Sequence, residues 1–318
     1  MHVFLTGATG YVGSLVGEQL QAGGHTVVGL ARTEASANKL RQRGIEPLLG
    51  DLRDTELLAQ AARSADGVIH TAFIHDYSDF EGAIKVEETV IATFVEALAE
   101  SGKPFVATSG TGLLGDTGDC IIDDSEIMAS QNALVPRAAA EQTILQAAKQ
   151  NIRSAAIRLP IFVYGHGSSQ FIPILIKDTQ QVGIARYVEP GDYKYSAIHV
   201  DDVARLYVLA LEKGQAGAVY HAVSESGITM KAITQAVAHL LGCGMKAMSR
   251  EEAIQEWGLF LTTFFSINNQ VSCTKAEADL GWQPEIKTTM LEDIEFGSYR
   301  TESNHTIIEL NSICDEQK

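Results

Sequence analysis

Three glycines near the start of the chain have the spacing of a loop that binds phosphate groups. They lie in the stretch TGATGYVG, between a short apolar run and an amphipathic one. In such a loop one glycine allows a tight turn, one lets the backbone approach a pyrophosphate, and one lets the helix pack closely on the sheet. An ordinary glycine-rich turn is the alternative. The residues predicted to contact a dinucleotide here are Gly7, Thr9, Gly10, Tyr11, Val12 and Gly13.

The residue after the second predicted strand selects between the two nicotinamide dinucleotides. Folds that bind NAD place Asp or Glu there for the ribose 2′-hydroxyl, whereas arginine suits a 2′-phosphate. In GLARTE the residue is Arg32, whose guanidinium can pair with a phosphate and stack on adenine. We therefore expect NADP(H) as the cofactor, and a solvated surface arginine is the alternative.

Further cofactor contacts are predicted at the ends of the third and fourth strands. In GDLRD, Asp51 can accept a hydrogen bond from the adenine amino group and Leu52 can cover the ring, whereas Asp54 fits the N-cap of the next helix better. The stretch HTAF follows the fourth strand, beneath the expected cofactor. The residues predicted to contact it there are Thr71, Ala72 and Phe73.

The elements that must position these residues alternate between strands and helices over roughly the first 160 residues, as a parallel sheet requires. The sixth strand is predicted to continue through RSAAIRLPIFVYG, where Pro160 and Ile161 are further expected cofactor contacts. The predicted fold class is α/β, a Rossmann-type doubly wound parallel sheet with a smaller, mostly helical C-terminal substrate region.

The chain is predicted to consist of a cofactor-binding part and a substrate-binding part. Residues 1–165, completed by about 195–225, form the NADP-binding Rossmann domain, and residues 166–318 form the substrate-binding region. Asp201 and Asp202 are expected to cap a helix that begins near Val203. Four aromatic residues of the C-terminal part form either the substrate pocket or plain core. They are Trp257, Phe260, Phe264 and Phe265.

Composition excludes several classes of function. The chain has 318 residues, a net charge of -16 and a hydrophobic fraction of 45%, which is typical of a folded globular protein and unsuited to sequence-independent nucleic-acid binding or to anionic membranes. No apolar run is long enough to span a bilayer. The four cysteines are far apart, so we expect neither a zinc site nor a disulfide framework, and a cytoplasmic location is the default.

Taken together, these stretches resemble the extended short-chain dehydrogenase/reductase superfamily, which includes nucleotide-sugar epimerases and dehydratases. The motif TGATGYVG is similar to that group's TGxxGxxG. Comparable stretches cover most of the chain and are quite specific for fold and cofactor, but less so for substrate. They are GDLRD, IHTAF, FVATSG, RLPIFVYG, IHVDDVA and LGWQP.

The resemblance implies a catalytic serine and a Tyr-xxx-Lys motif on the helix after the fifth strand, and here the sequence departs from the pattern. With Glu141 as the anchor of the register, Arg137 stands at the lysine position and Ala133 at the tyrosine position. No tyrosine occurs between residues 121 and 159, so the loss does not depend on fine register. Gly110 takes the expected serine position, between Ser109 and Thr111. The chain looks like an atypical branch in which a basic residue replaces the motif.

Arginine can perform only part of the missing chemistry. Arg137 can bond the nicotinamide ribose hydroxyls and steady a developing oxyanion, but its pKa lies above about 12, so it is a poor proton donor. A substrate such as an iminium needs no prior protonation. Otherwise the predicted donors are Thr111 or Ser109 relaying water, Tyr164, Tyr193, Tyr195, His70 and His75.

Three functions are compatible with this pattern. The first is an NADP(H)-dependent reductase of a small carbonyl, imine or activated alkene. The second is a non-catalytic NADP(H)-binding regulator or redox sensor. The third is an epimerase or dehydratase, which the missing tyrosine disfavours because its reaction also needs proton abstraction. A homodimer through the predicted helices 81–100 and 137–150 is a further expectation.

Overall fold

Seven short apolar strands pair in parallel to form the central sheet of the computed structural model, which describes residues 1–74, 79–125 and 137–300. Their order across the sheet is β3-β2-β1-β4-β5-β6-β10. This order reverses direction between β1 and β4, which is the switch point where doubly wound folds bind ligands. The strands are β1 His2–Thr6, β2 Thr26–Ala31, β3 Glu46–Leu49, β4 Gly67–His70, β5 Pro104–Gly110, β6 Arg153–Leu159 and β10 Ala218–His221.

Helices cover both faces of this sheet and bury an apolar core on each side. The core on one face contains residues of α1, α2 and α7, and the core on the other face contains residues of α3, α4 and α5. The predicted Rossmann-type fold is therefore confirmed. These helices are α1 Tyr11–Ala22, α2 Glu34–Gln42, α3 Thr55–Ser64, α4 Phe80–Leu98, α5 Ala138–Gln146, which continues as a 3-10 turn over Ala147–Gln150, and α7 Val200–Lys213.

The prediction of one long sixth strand through Gly165 is wrong. Strand β6 ends at Leu159, and β7 (Phe162–Tyr164) belongs to a separate three-stranded sheet, in which it pairs with β9 (Lys194–His199). Pro160 lies at the break, and it has no N–H group with which to extend the ladder of β6. Strand β11 (Glu225–Thr229) is the third strand of this sheet.

The remaining part of the chain is mostly helical, as predicted, but also contains a small sheet that the sequence analysis missed. Strands β8 (Ala185–Val188) and β12 (Met245–Met248) pair in parallel, and each has four residues, too few to show a clear period. Among the described residues no helix is both long and apolar enough to cross a membrane. The helices are α6 Ile172–Val182, α8 Met230–Leu241, α9 Arg250–Phe264, α10 Thr274–Leu280 and α11 Met290–Phe296, with a 3-10 turn at Ser298–Arg300.

The start of α7 differs from the prediction that Asp201 and Asp202 cap it. The helix begins at Val200, and the ring Nδ1 of His199 accepts the N–H of Asp201, 3.2 Å away. The carboxylate of Asp202 is fully buried and accepts the backbone N–H groups of Glu285 and Ile286 at 2.9 and 3.1 Å. The charge of Asp202 therefore fixes a distant turn to this helix.

The same turn inserts a tryptophan into the core of the large sheet. Trp282 is fully buried in the apolar core that also contains Val3 of β1 and Val16 of α1. Its indole Nε1 donates to the backbone carbonyl of Asp202 at 3.2 Å. A residue from the C-terminal part thus belongs to the same core as β1 and α1, the two elements that flank the glycine-rich loop.

Candidate cofactor site and active site

The glycine-rich loop lies between β1 and α1, at the switch point of the sheet. Gly7 has a φ of +75°, which side chains other than glycine rarely adopt, and its carbonyl accepts the N–H of Gly10 at 2.8 Å. A Cβ on Gly13 would lie 2.1 Å from the carbonyl oxygen of Gly7 and 2.5 Å from Oγ1 of Thr71. The loop is therefore packed so tightly against α1 and the end of β4 that only glycine fits. The first turn of α1, which follows the loop directly, has N–H groups without partners inside the helix.

The other residues of the loop are held in different ways. Thr9 is exposed, and Val12 is half-buried and packs on the core of the sheet. The hydroxyl of Tyr11 donates to the carbonyl of Gly165, 2.9 Å away, and burial raises the pKa of this phenol far above its usual value. The phenol of Tyr11 therefore ties the loop to the end of β7 and stays protonated.

The residues predicted to bind the adenosine end follow β2 and β3. Arg32 comes directly after β2, is exposed, and makes no hydrogen bond or ion pair with any described residue. The carboxylate of Asp51 accepts the backbone N–H of Arg53 at 2.9 Å, and Leu52 packs in the apolar core. Asp54 caps α3 by accepting the N–H of Leu57, as the alternative for GDLRD expected.

The residues after β4 lie beside the glycine-rich loop. Oγ1 of Thr71 donates to the carbonyl of Thr6 at 2.8 Å, which fixes the end of β4 against β1. Ala72 packs on the core, and the guanidinium of Arg137 lies over the ring of Phe73, 4.6 Å from its centre. Three of the predicted contacts therefore follow one another at the carboxyl edge of the sheet.

His70 at the end of β4 is buried and uncharged. Its Nδ1 lies 2.6 Å from Oγ1 of Thr6, and its Nε2 has no hydrogen-bond partner among the described residues. Burial, with the charge of Arg137 as a smaller cause, lowers the pKa of His70 to about 3. Burial also lowers the pKa of His221 to about 3. Both imidazoles must gain protons when the chain unfolds in mild acid.

We expect the protein to lose stability as the pH falls from about 7.5 to about 5. The pKa of each histidine is lower in the folded state than its unfolded value of about 6.5. The contribution of each neutral imidazole to the free energy of unfolding is therefore complete above that pH and is lost as the pH falls toward 3. At pH 5 the loss is about 2 kcal/mol per histidine. Urea unfolding of wild type, His70→Gln and the exposed control His166→Gln measures this. A His70→Gln variant with the full pH dependence of the wild type would contradict the role of His70.

Arg137 lies directly before α5, and α4 provides its partner. Its Nε donates to Oε2 of Glu87 at 2.8 Å, and its Nη2 donates to Oε1 of the same carboxylate. A longer contact of 3.4 Å joins Nη2 to the carbonyl of Thr108 in β5. Together with Phe73, these contacts fix the guanidinium at the carboxyl edges of β4 and β5. The guanidinium at the position predicted for the lysine is therefore held in one place.

Glu87 is not among the residues predicted from the sequence, although its position gives a signal. Glu87 is 4% exposed and lies three residues after Ile84 and three before Val90, on the buried face of α4. An acidic residue in such an apolar stripe requires a buried partner. The pattern therefore indicates that this carboxylate has a buried partner, but not that the partner is Arg137.

A second buried ion pair lies behind the candidate serine. Arg158 is fully buried and donates from Nη2 to Oε1 of Glu141 at 2.6 Å and from Nε to Oε2 at 2.9 Å. The hydroxyl of Ser109 donates to Oε2 of the same carboxylate at 2.5 Å. The Ser109 proton therefore points to Glu141, and its oxygen can still accept a hydrogen bond from water.

The other candidate proton donors also donate to protein groups. Oγ1 of Thr111 lies 2.5 Å from Oδ1 of Asn269, and the Tyr164 hydroxyl donates to the carbonyl of Thr288 at 2.7 Å. Burial raises the pKa of Tyr164, and the buried Tyr195 donates to a backbone carbonyl of α9. Ala133 and His75 lie outside the described residues. Catalytic roles for these groups stay predictions.

The connection from β6 to β7 contains the last two predicted cofactor contacts. Pro160 is buried, and Ile161 is 8% exposed and packs in the apolar core of the C-terminal part. Both follow the carboxyl end of β6, on the same edge of the sheet as the glycine-rich loop. Their side chains thus form part of the junction between the large sheet and the smaller one.

The four aromatic residues for which the sequence allowed either a pocket or plain core divide into two groups. Phe264 and Phe265 are buried at 8% and 0% exposure, whereas Trp257 and Phe260 are half-buried. All four belong to the same apolar cluster of the C-terminal part. The two half-buried rings are therefore the ones that are partly exposed.

A possible metal-binding group lies beside the site, where His166, His199 and Asp201 place one ligand atom each within 4.8 Å of one another. Hydrogen bonds already explain this grouping. Nε2 of His166 lies 2.9 Å from Oδ1 of Asp201, and Nδ1 of His199 accepts a backbone N–H. One ring nitrogen of His199 is thus already used by the cap of α7.

Comparison with known proteins agrees with this geometry. The chain is 38% identical over 299 residues to an uncharacterized protein of Schizosaccharomyces pombe, covering 94% of this chain and all of that protein. It is 31% identical over 229 residues to the 4-hydroxy-2-methyl-3-oxo-4-farnesyl-3,4-dihydroquinoline-1-oxide ketoreductase of Stigmatella aurantiaca, covering 69% of this chain and 67% of that enzyme.

Solved structures show the same fold. A double mutant of the dTDP-glucose 4,6-dehydratase from Streptomyces venezuelae, with NAD bound, superposes with a TM-score of 0.77 at 18% identity, over 96% of this chain and 98% of that one. The model of the NAD dependent epimerase/dehydratase family matches residues 3–224. As the resemblance to extended short-chain dehydrogenases/reductases implies, the chain belongs to the NAD dependent epimerase/dehydratase family.

Proposed function

We propose that the chain is an NADP(H)-dependent reductase that transfers hydride to a small carbonyl, imine or activated alkene. The observation that carries this proposal is the fixed guanidinium of Arg137, over Phe73 and beside the carbonyl of Thr108, on the edge of the sheet that also bears the glycine-rich loop. A permanent positive charge at that place can stabilise an oxyanion that develops during reduction.

The residues present fit the cofactor. The tight packing of Gly7 and Gly13 leaves the N–H groups of α1 open to a pyrophosphate, and Arg32 is available for a 2′-phosphate. When bound, NADPH would supply the hydride. Arg137 would hold the nicotinamide ribose hydroxyls and face the carbonyl oxygen of the substrate, since its five N–H donors exceed those that Glu87 uses.

Arg137 cannot supply the proton that completes the reduction of a carbonyl, because its pKa stays above about 12. In the proposal, a water molecule donates one hydrogen bond to the Ser109 oxygen, gives its other proton to the substrate oxygen and leaves as hydroxide. The buried pair of Glu141 and Arg158 holds the Ser109 hydroxyl in place. An iminium substrate would not need this step. The Stigmatella aurantiaca relative is a ketoreductase, which supports reduction of a C=O bond as the reaction type.

The direct test is NADPH oxidation, followed at the nicotinamide absorbance, with aldehydes, ketones, cyclic imines and enones. We expect turnover with at least one of these classes. Tight NADPH binding with no turnover across all four classes, under conditions in which the protein is folded, would contradict a reductase.

Arg32 provides a second test of the proposal. Arg32→Ala should weaken NADPH binding about 10- to 100-fold, because charge-assisted hydrogen bonds contribute about 1.5–3 kcal/mol. NADH lacks the 2′-phosphate, so its dissociation constant should change about 3-fold at most. Isothermal titration with both cofactors measures this. Arg53→Ala is the matched control, since Arg53 is also exposed and follows the neighbouring strand. Equal losses for NADPH and NADH would contradict the proposed role of Arg32.

A non-catalytic NADP(H)-binding sensor is the second candidate. It is favoured by the hydroxyl groups of Ser109, Thr111 and Tyr164, each of which donates to another protein group. Such a protein would bind NADPH and change its affinity for a partner without turnover. An epimerase or dehydratase is disfavoured, because its reaction needs a group that abstracts a proton as well as hydride transfer.

A further inference from the structure

We propose that the substrate is a flat, apolar, fused-ring ketone, bound along a row of phenylalanine rings that leads away from Arg137. This inference rests on the proposed reductase function and names the substrate class for it. The row, called the aromatic row below, consists of Phe73, Phe80, Phe260 and Phe264. It joins the carboxyl edge of the large sheet to α9 of the C-terminal part.

Ring contacts are continuous along the aromatic row. The centres of Phe73 and Phe80 are 6.0 Å apart, and those of Phe80 and Phe260 are 6.3 Å apart. Phe260 and Phe264 follow at 4.7 Å. These distances lie within the range of favourable aromatic pairs. The first three rings span more than the width of one six-membered ring, so the wall suits two fused rings better than a single small carbonyl compound.

Exposure separates the part of the row that can contact a ligand from the part that supports it. Phe73, Phe80 and Phe260 are half-buried, whereas Phe264 is buried against Phe171 in the C-terminal core. Gly258 interrupts α9 with a φ of +78°, directly before the exposed Leu259 and the half-buried Phe260. The break changes the direction of α9 just before Phe260, which reaches across to Phe80 on α4.

The polar end of the aromatic row is Arg137. Its guanidinium lies 4.6 Å over the ring of Phe73, so a cation and an apolar surface meet at one point. A ketone whose oxygen faces this cation would place its rings against Phe80 and Phe260. The site thus offers one charge for one oxygen and aromatic surface for the rest, which is the pattern of pockets for small apolar ligands.

Charge argues against a nucleotide sugar along the same surface. Its two phosphates would need cations, and the arginine that contacts the aromatic cluster of the C-terminal part is already neutralised. Arg186 lies 5.8 Å over the ring of Trp257 and donates to Asp178 and Glu256 at 2.5 and 2.8 Å. The net charge of -16 adds to the repulsion of such a ligand.

The test is a binding measurement that does not require turnover. NADPH-loaded protein is titrated calorimetrically with α-tetralone, acetone and UDP-glucose. We expect α-tetralone to bind and the other two to bind at least about 10-fold more weakly. Phe260→Ala should weaken the binding of α-tetralone about 10-fold, and Phe260→Leu should weaken it less. Leu259→Ala is the matched control, because Leu259 is the neighbouring residue, is 64% exposed and has no ring. NADPH affinity should be unchanged in all three variants.

Each result has a definite meaning. Binding of α-tetralone that Phe260→Ala leaves unchanged, binding of UDP-glucose in preference to α-tetralone, or binding of neither compound would overturn the inference. Binding of α-tetralone that depends on Phe260 but is not followed by NADPH oxidation would support the substrate class and contradict the proposed reductase function.

Discussion

Replacing Arg137 with alanine should lower kcat/KM for NADPH-dependent reduction about 10²- to 10³-fold, as does the loss of one donor that stabilises an oxyanion in other enzymes. The loss should appear mainly in kcat, because the charge on the substrate oxygen develops in the transition state. Steady-state kinetics with the responding substrate measures this effect.

Stability must be separated from catalysis in this variant. Removal of Arg137 leaves the carboxylate of Glu87, which is 4% exposed, without its partner. Breaking a buried pair in this way costs about 3–5 kcal/mol. Urea unfolding at the assay temperature therefore accompanies the kinetics, to show what fraction of each variant is folded.

Two further substitutions separate the role of the Arg137 guanidinium from the role of a positive charge alone and from the role of the Glu87 carboxylate. Arg137→Lys keeps a charge opposite Glu87 but has a single donor group in place of the planar fork, so it should retain more stability than activity. Glu87→Gln keeps Arg137 and removes only the charge of its partner. Wild-type kcat in folded Arg137→Ala would exclude Arg137 from the reaction, and a Glu87→Gln variant as inactive as Arg137→Ala would show that the carboxylate matters as much as the arginine.

Gly13→Ala should abolish measurable NADPH binding and destabilise the fold by about 1–3 kcal/mol or more, the usual cost of overpacking. A Cβ at this position would lie 2.1 Å from the carbonyl oxygen of Gly7, which is far inside van der Waals contact. Helix α1 must then move away from the loop, and its N–H groups leave the place where the pyrophosphate should bind.

The control for this substitution is Gly244→Ala. Gly244 is exposed, nothing lies within 4 Å of its added Cβ, and its φ is outside the left-handed region. NADPH titration and urea unfolding of both variants test the prediction. Wild-type NADPH affinity in Gly13→Ala would show that the cofactor does not bind at this loop.

The Rossmann part was predictable because its signals are local. The glycine spacing at Gly7, Gly10 and Gly13 and the alternation of apolar runs specify the βαβ units and their parallel pairing. The role of Asp54 as the N-cap of α3 is also local, because its side chain accepts the N–H of Leu57, three positions later. The position of each predicted strand of the large sheet agrees with the structure, except that β6 ends before Pro160.

The details of the active site depend on contacts between distant residues, which a single sequence does not reveal. Arg137 and Glu87 are 50 residues apart, and Thr111 and Asn269 are 158 residues apart. Glu87 could have been suspected from its place in an apolar stripe, but its partner could not. The cap of α7 was wrong because Asp201 and Asp202 suit an N-cap in isolation, whereas His199 takes that position and Asp202 is needed elsewhere.

The burial of Trp282 decides which parts of such a protein are interchangeable. The family match ends at residue 224, and a chimera built at that boundary would seem to leave the large sheet untouched. Trp282, however, is fully buried in the same apolar core as residues of β1 and α1, and its indole donates to the backbone carbonyl of Asp202. A chimera that replaces everything after residue 224 must therefore retain the LGWQP turn of its N-terminal part, or the core shared by β1, α1 and α7 is left incomplete. The two halves are not modular, and we expect them to unfold as one cooperative unit.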